Sequence, residues 1–178
     1  SQLYMTKKLH IDTLCVQAGY NPTKGEPRQV PIIQSTTFKY DTSEQMGKLF
    51  DLEENGYFYT RLQNPTNDTT AAQIAAMEGG VAAMLTSSGQ AANFFACFNI
   101  CQAGDHMITT TSIYGGTYNL FGVTFPKMGM EITFIDQDAS DEEWAAAFRP
   151  NTKLVFGETL SNPNVRILDI ERIANIAH

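Results

Sequence analysis

From residue 67 onward the chain predicts an α/β fold, with a mostly parallel sheet flanked by helices, because short apolar runs of strand type alternate there with helical periods. Glycines stand between the two kinds of segment, where a helix hands over to a strand. The first 66 residues are rich in Pro, Gly and Thr and hold no long periodic stretch, so they predict an extended N-terminal arm instead of a second core. The expected division is therefore 1–66 for the arm and 67–178 for the first part of the α/β domain.

The arm carries Val30, Ile32, Ile33, Phe38, Tyr40, Leu49, Phe50, Tyr57, Phe58 and Tyr59. A disordered tail rarely exposes so many apolar side chains, and a structured arm often packs on a neighbouring subunit. A helix is expected over 69–77, where Ala72, Ile74, Ala75 and Met77 recur, with Gly79-Gly80 as its stop. A strand over 82–86 follows. Ala91, Phe94, Phe95, Phe98 and Cys101 then mark a helix over 90–102, closed by Gly104. Next come a strand over 107–111, a turn at Ser112-Ile113-Tyr114-Gly115-Gly116, a helix over 117–125 and a strand over 131–135. A short helix over 141–148 holds the only tryptophan, Trp144, and a strand over 153–158 closes the series. Ile170, Ile173, Ala174 and Ala177 predict a last helix from about Asp169, and it reaches His178 without a glycine or proline stop. On that pattern the 178 residues are expected to be the N-terminal portion of a longer protein.

Composition narrows the function classes. With 43% hydrophobic and 17% charged residues the chain can bury a core, and no apolar run approaches the ~20 residues of a membrane span. The start, Ser1-Gln2-Leu3-Tyr4-Met5, lacks a signal peptide's apolar centre, which points to the cytoplasm. The net charge of −7 comes from scattered acidic residues, and the 12 basic ones form no cluster that would track a nucleic acid. Cys15, Cys97 and Cys101 are too few for a disulfide framework. Cys97 and Cys101 share a helix face with no His or acidic company, so they are expected in the core and no metal site is expected. His10, His106 and His178 are scattered.

Four stretches suit chemistry. Thr86-Ser87-Ser88-Gly89-Gln90 reads as a strand turning into a helix, whose first backbone N–H groups lack internal partners and whose dipole favours an anion. A phosphorylated ligand is one reading of it; an ordinary strand-to-helix turn is the other. Tyr59 and Arg61, two apart, would project from one face of an extended segment, a phenol beside a planar cationic fork, or simply a surface pair. Tyr114 and the run Glu158-Thr159-Leu160-Ser161-Asn162-Pro163 follow strand ends, where ligands of parallel sheets bind. A dinucleotide fingerprint, a Walker loop and a Gly-x-Ser-x-Gly nucleophile turn are all missing.

These residues, in this order, resemble the fold-type I pyridoxal-phosphate enzymes of cysteine and methionine metabolism. The resemblance runs from Thr13-Leu14-Cys15-Val16-Gln17-Ala18-Gly19 through Arg28-Gln29-Val30-Pro31 and Tyr59-Thr60-Arg61-Leu62-Gln63-Asn64-Pro65-Thr66. It continues through Ser87-Ser88-Gly89-Gln90-Ala91-Ala92 and Tyr114-Gly115-Gly116-Thr117 to Glu158-Thr159-Leu160-Ser161-Asn162-Pro163. Arg28-Gln29-Val30-Pro31 and Gln90-Ala91-Ala92 look most like the O-acetylhomoserine sulfhydrylases of that family. The resemblance implies pyridoxal 5′-phosphate as cofactor, with Ser88, Gly89 and Gln90 at its phosphate, Tyr114 stacked on its ring and assisting proton movement, and Asn162 at its ring oxygen. It further implies that Tyr59 and Arg61 reach the phosphate of a neighbouring subunit, in a tetramer built of shared-site dimers. O-acetylhomoserine and sulfide are the implied substrates, and homocysteine the product. Methionine γ-lyase and cystathionine γ-synthase or γ-lyase are the alternatives within the family. The family's lysine that binds the cofactor covalently matches no lysine here, so these residues alone are expected to be inactive, and a non-catalytic assembly fragment is the alternative of another class.

Overall fold

A computed structural model of the chain describes residues 9–178. The first eight positions of the expected arm, Lys7 and Lys8 among them, lie outside the described residues. The chain divides into two compact units, Ser1–Leu85 and Thr86–His178.

The first unit is built on three helices, α1 (Ile11–Gln17), α2 (Ser43–Phe50) and α3 (Pro65–Glu78). Asn64 starts α3 by accepting the Thr66 N–H at 2.9 Å, Pro65 occupies the first turn where no donor is needed, and Gly79 ends the helix in the left-handed region at φ 66°. The expected helix over 69–77 thus begins a full turn earlier. Helices α1 and α2 lie within the stretch expected as an extended arm. They are seven and eight residues long, too short to show a period, and each rests on a cap: His10 Nδ1 accepts from Asp12 N and Thr42 Oγ1 from Gln45 N. Helix α1 packs on α3, where the Gln73 amide donates to the Cys15 carbonyl oxygen at 2.5 Å. Gly19, at φ 86°, makes that approach possible, because a Cβ there would collide with the Thr69 carbonyl oxygen and lie 2.8 Å from Gln73 N.

Residues 31–38 run along 57–66. Asn64 Nδ2 donates to the Ile33 carbonyl at 3.0 Å, Thr66 Oγ1 to the Pro31 carbonyl at 2.8 Å, and Thr37 bridges Tyr59 in antiparallel fashion. Leu49 and Phe58 are buried while Ile32 and Phe50 stay exposed. The strand expected over 82–86 is not formed. Among the described residues no segment offers that run a hydrogen-bonding edge, and Val81 and Met84 are exposed; an apolar run becomes a strand only with a partner to pair with.

The second unit is a parallel sheet of β1 (His106–Thr110), β2 (Glu131–Ile135) and β3 (Thr152–Phe156), in the order β2-β1-β3. It also holds α4 (Gly89–Ile100), α5 (Gly115–Asn119), a π-helical turn at Leu120–Thr124, α6 (Phe125–Lys127), α7 (Asp141–Ala147) and α8 (Ile170–Ala177). Every residue of β1 is buried, as befits a central strand with helices on both faces. Met107 points into a cluster with Cys97, Cys101, Ile113, Phe121, Phe125 and Met130. Its neighbour Ile108 points the other way, onto Trp144 and Ile173. Both cysteines are therefore core residues, and burial pushes the Cys97 thiol up to about 11. The outer edges of β2 and β3 have no partner strand among the described residues, and a groove of about 460 Å³ runs along β3, lined by Leu154, Val155, Phe156, Ile173 and Ala177.

At the amino ends of the strands the fully buried His106 sits between two hydroxyls, its Nδ1 2.7 Å from Thr152 Oγ1 and its Nε2 2.8 Å from Thr133 Oγ1. Among the described residues no helix is long and apolar enough to cross a membrane, and no group of three or more His, Cys, Asp or Glu is placed to hold a metal ion.

Candidate functional site

The turn into α4 is capped by Ser88, whose Oγ accepts the Ala91 N–H at 3.1 Å. Thr86 Oγ1 donates to the Ser88 carbonyl at 2.9 Å and fixes the turn from the preceding side. The cap satisfies the third helical donor and leaves the N–H groups of Gly89 and Gln90 for another acceptor. A Cβ added at Gly89 would meet nothing within 4 Å, so the helix start is uncrowded on that side.

Gln90 turns its side chain away from that space. Its Nε2 donates to Thr117 Oγ1 at 2.9 Å, and Asn93 Nδ2 donates to the same oxygen at 3.3 Å. Thr117 is fully buried in the first turn of α5, so one hydroxyl joins the starts of two helices. The ring of Tyr114 lies over Gly116, where a Cβ would come within 2.6 Å of Tyr114 Cε1 and 3.3 Å of Gln90 Nε2. Glycine at 116 is what lets the phenol and the amide share this place. Tyr114 is half-exposed, and its backbone N–H donates to Glu158 Oε1 at 2.9 Å, across from the end of β3.

Residues 159–168 then form a tight hairpin, with Leu160 bridging Ile167 and Leu168 N donating to the Thr159 carbonyl at 3.1 Å. Asn162 is exposed near its tip, followed by a cis bond to Pro163. Ser88, Gly89, Gln90 and Tyr114 are thus brought together, and Asn162 stands on the loop after β3 in which Glu158 holds Tyr114. The first of the three expected strand ends is an unpaired extended segment, so the site gathers the turn at 86–90 with the ends of β1 and β3.

Tyr59 and Arg61 belong to the other unit. The chain turns directly after Tyr59, with Leu62 N and Gln63 N both donating to its carbonyl, which replaces the extended segment expected there. The turn nonetheless pairs the two side chains, the Arg61 guanidinium carbon lying 4.8 Å from the Tyr59 ring centroid.

Four residues with positioning contacts were not legible as such: Asn93, Thr117, Glu158 and Arg166. Their partners lie 24 to 54 residues away, and no periodicity reports such a pairing. Arg166 had one local signal, as the only charged residue in 159–168.

A model of the family described as Cys/Met metabolism PLP-dependent enzymes matches residues 12–178. The chain is 42% identical over 169 residues to the O-acetyl-L-homoserine sulfhydrylase of Corynebacterium glutamicum, covering 94% of this chain and 39% of that protein. It is 42% identical over 170 residues to the homocysteine synthase of Schizosaccharomyces pombe, covering 95% and 39%. Against the L-methionine gamma-lyase of Fusobacterium nucleatum subsp. polymorphum the figures are 40% over 173 residues, covering 97% and 44%. The chain therefore spans about two fifths of the length of these relatives. Among solved structures, a proposed O-acetylhomoserine (thiol)-lyase of Campylobacter jejuni superposes with a TM-score of 0.86 at 36% identity, covering 96% of this chain and 42% of that one. That structure carries N′-pyridoxyl-lysine-5′-monophosphate. A strand-end site with free helix-start donors and a phenol beside them, matched along nearly the whole chain, has one explanation: the chain belongs to the Cys/Met metabolism PLP-dependent enzyme family.

Proposed function

We propose that the protein containing this chain is a pyridoxal-phosphate-dependent O-acetylhomoserine sulfhydrylase, which replaces the acetate of O-acetylhomoserine with sulfide to give homocysteine. The observation that carries the reading is the joining of Gln90, Thr117, Gly116, Tyr114 and Glu158 beside the open start of α4. The donor set suits a phosphate: two backbone N–H groups, at Gly89 and Gln90, stand without an intrahelical partner at the positive end of a twelve-residue helix. When bound, pyridoxal phosphate would supply the electron sink for proton loss at the substrate's amino-bearing carbon. Ser88 orders the turn, Gly89 and Gln90 grip the phosphate, Tyr114 covers the ring, and Asn162 meets the ring oxygen. The Tyr114 hydroxyl, on a side chain whose backbone is anchored by Glu158, is the group placed to hold and move a proton over the ring. Tyr59 and Arg61 complete the phosphate site of a neighbouring subunit, in a tetramer of shared-site dimers that works in the cytoplasm. Arg61 supports this as a permanently charged fork already oriented on Tyr59.

The deciding experiment supplies the whole protein with O-acetylhomoserine, with and without sulfide. Homocysteine formed only with sulfide is the expected result. Steady release of 2-oxobutyrate and ammonia without sulfide would instead establish a γ-lyase, the activity named for the Fusobacterium relative.

A further inference from the structure

Arg166 reaches all three loops that leave the carboxyl ends of the sheet. Its Nη1 donates to Ser112 Oγ at 2.8 Å, in the loop after β1, and more weakly to Asp136 Oδ2 at 3.4 Å. Its Nη2 donates to Asp136 Oδ1 at 2.8 Å and to Asp138 Oδ2 at 2.5 Å, in the loop after β2. Its own backbone closes the hairpin after β3: Arg166 N donates to Ser161 Oγ at 2.9 Å, and Ser161 N donates to the Arg166 carbonyl at 3.0 Å. Ser161 and Ser112 are both buried.

We infer that Arg166 is a positioning residue that sets the two cofactor-facing side chains at once, Asn162 through Ser161 and Tyr114 through Ser112. The inference rests on the cofactor reading above and deepens it. Ser161 precedes Asn162 and is held on its N–H and hydroxyl by the Arg166 backbone and on its carbonyl by Val165 N at 3.0 Å, so the hairpin moves as one piece, and the Arg166 side chain is what fixes that piece onto the loops after β1 and β2. Ser112 stands two residues before Tyr114, whose own N–H is held from the β3 side by Glu158. The tip of the hairpin and the tyrosine loop are therefore tied at two separate points.

Both carboxylates are more than half exposed, so neither ion pair contributes much stability by itself. What the guanidinium adds is geometry, since a planar fork can meet acceptors on three loops where an ammonium meets them as a single point. It also holds the Asp136 carboxyl below the usual carboxylate range, chiefly through their hydrogen bond.

The test compares R166A, R166K and the independent double variant D136N/D138N in the whole protein, by pyridoxal-phosphate titration, visible spectrum, kinetics and thermal melting. Displacement of groups around a reacting centre by about 1 Å lowers turnover by up to about a hundredfold. Expected are a kcat lower by tenfold or more with the amino-acid KM little changed, a shifted cofactor absorption band, and partial rescue in R166K. D136N/D138N should move the band in the same direction. A lowered melting temperature with cofactor band, cofactor affinity and kcat unchanged would overturn the inference, leaving Arg166 a purely structural tie. Should R166A fail to fold, the band in R166K and D136N/D138N decides in the same way. Wild-type protein that takes up no pyridoxal phosphate would overturn the cofactor reading itself, and this inference with it.

Discussion

The side-chain amide of Gln90 donates a 2.9 Å hydrogen bond to Thr117 Oγ1, so the start of α4 and the start of α5 meet at one buried oxygen. The helix whose free donors suit an anion is thereby held against the helix that follows Tyr114.

Removing that oxygen should loosen both ends. Thr117→Val keeps the shape but strands the amides of Gln90 and Asn93, which are only partly reachable by water. A loss of about 1–2 kcal/mol is expected, with weaker cofactor retention. Urea denaturation and pyridoxal-phosphate titration of the whole protein check the two effects separately.

Gly116→Ala should separate function from stability. The added methyl intrudes on the Tyr114 ring, a half-exposed side chain that can swing aside, and presses on the Gln90 amide at 3.3 Å, which has to give by only a few tenths of an ångström. Gly116 lies in α5 without a positive φ, and alanine there reduces unfolded-chain entropy by about 0.4–1 kcal/mol. The melting temperature should stay level or rise while cofactor affinity and turnover fall. A variant with wild-type turnover would remove the Tyr114 ring orientation from the site.

His106 should make the fold sensitive to mild acid. Burial, reinforced by the Arg149 charge and partly opposed by Glu131, holds its pKa below the usual histidine value. Above about pH 6.5 the imidazole is neutral in folded and unfolded chains alike, and it costs nothing. Below that pH the unfolded chain takes up a proton that the folded one refuses, so stability falls by up to about 1.4 kcal/mol per pH unit until the folded pKa is reached. Denaturation midpoints at pH 7.5, 6 and 5 should converge for wild type and His106→Asn as the pH falls. Parallel curves would show that His106 does not carry the effect.

Of Cys15, Cys97 and Cys101, only Cys15 should react in the native protein. It is exposed, whereas Cys97 and Cys101 are buried and both thiols are pushed up by that burial. Brief iodoacetamide treatment followed by peptide mass mapping should find native labelling at Cys15 and labelling of all three in urea.

The parts legible in the sequence are those with a local physical cause. The period of α4, the αL glycine that ends α3, and the strand at 131–135 are all properties of neighbouring residues. The same holds for Ser88 as a cap and for Tyr114 beyond a strand end. What escaped depends on partners far along the chain. An apolar run at 82–86 reports burial or pairing but cannot say whether an edge exists to receive it, and α1 is stabilised by contact with α3 instead of by its own seven residues. Thr117, Glu158 and Arg166 are single polar residues whose acceptors or donors lie on other elements, where spacing along the chain carries no information.

The outer edge of β3, unpaired among the described residues, has a consequence for handling the 178 residues on their own. A row of unsatisfied backbone groups beside an apolar groove is a template for any extended chain, including a second copy of itself. Kept apart from whatever covers that edge, the polypeptide is expected to form sheet-paired oligomers that grow with concentration and bind amyloid-reporting dyes.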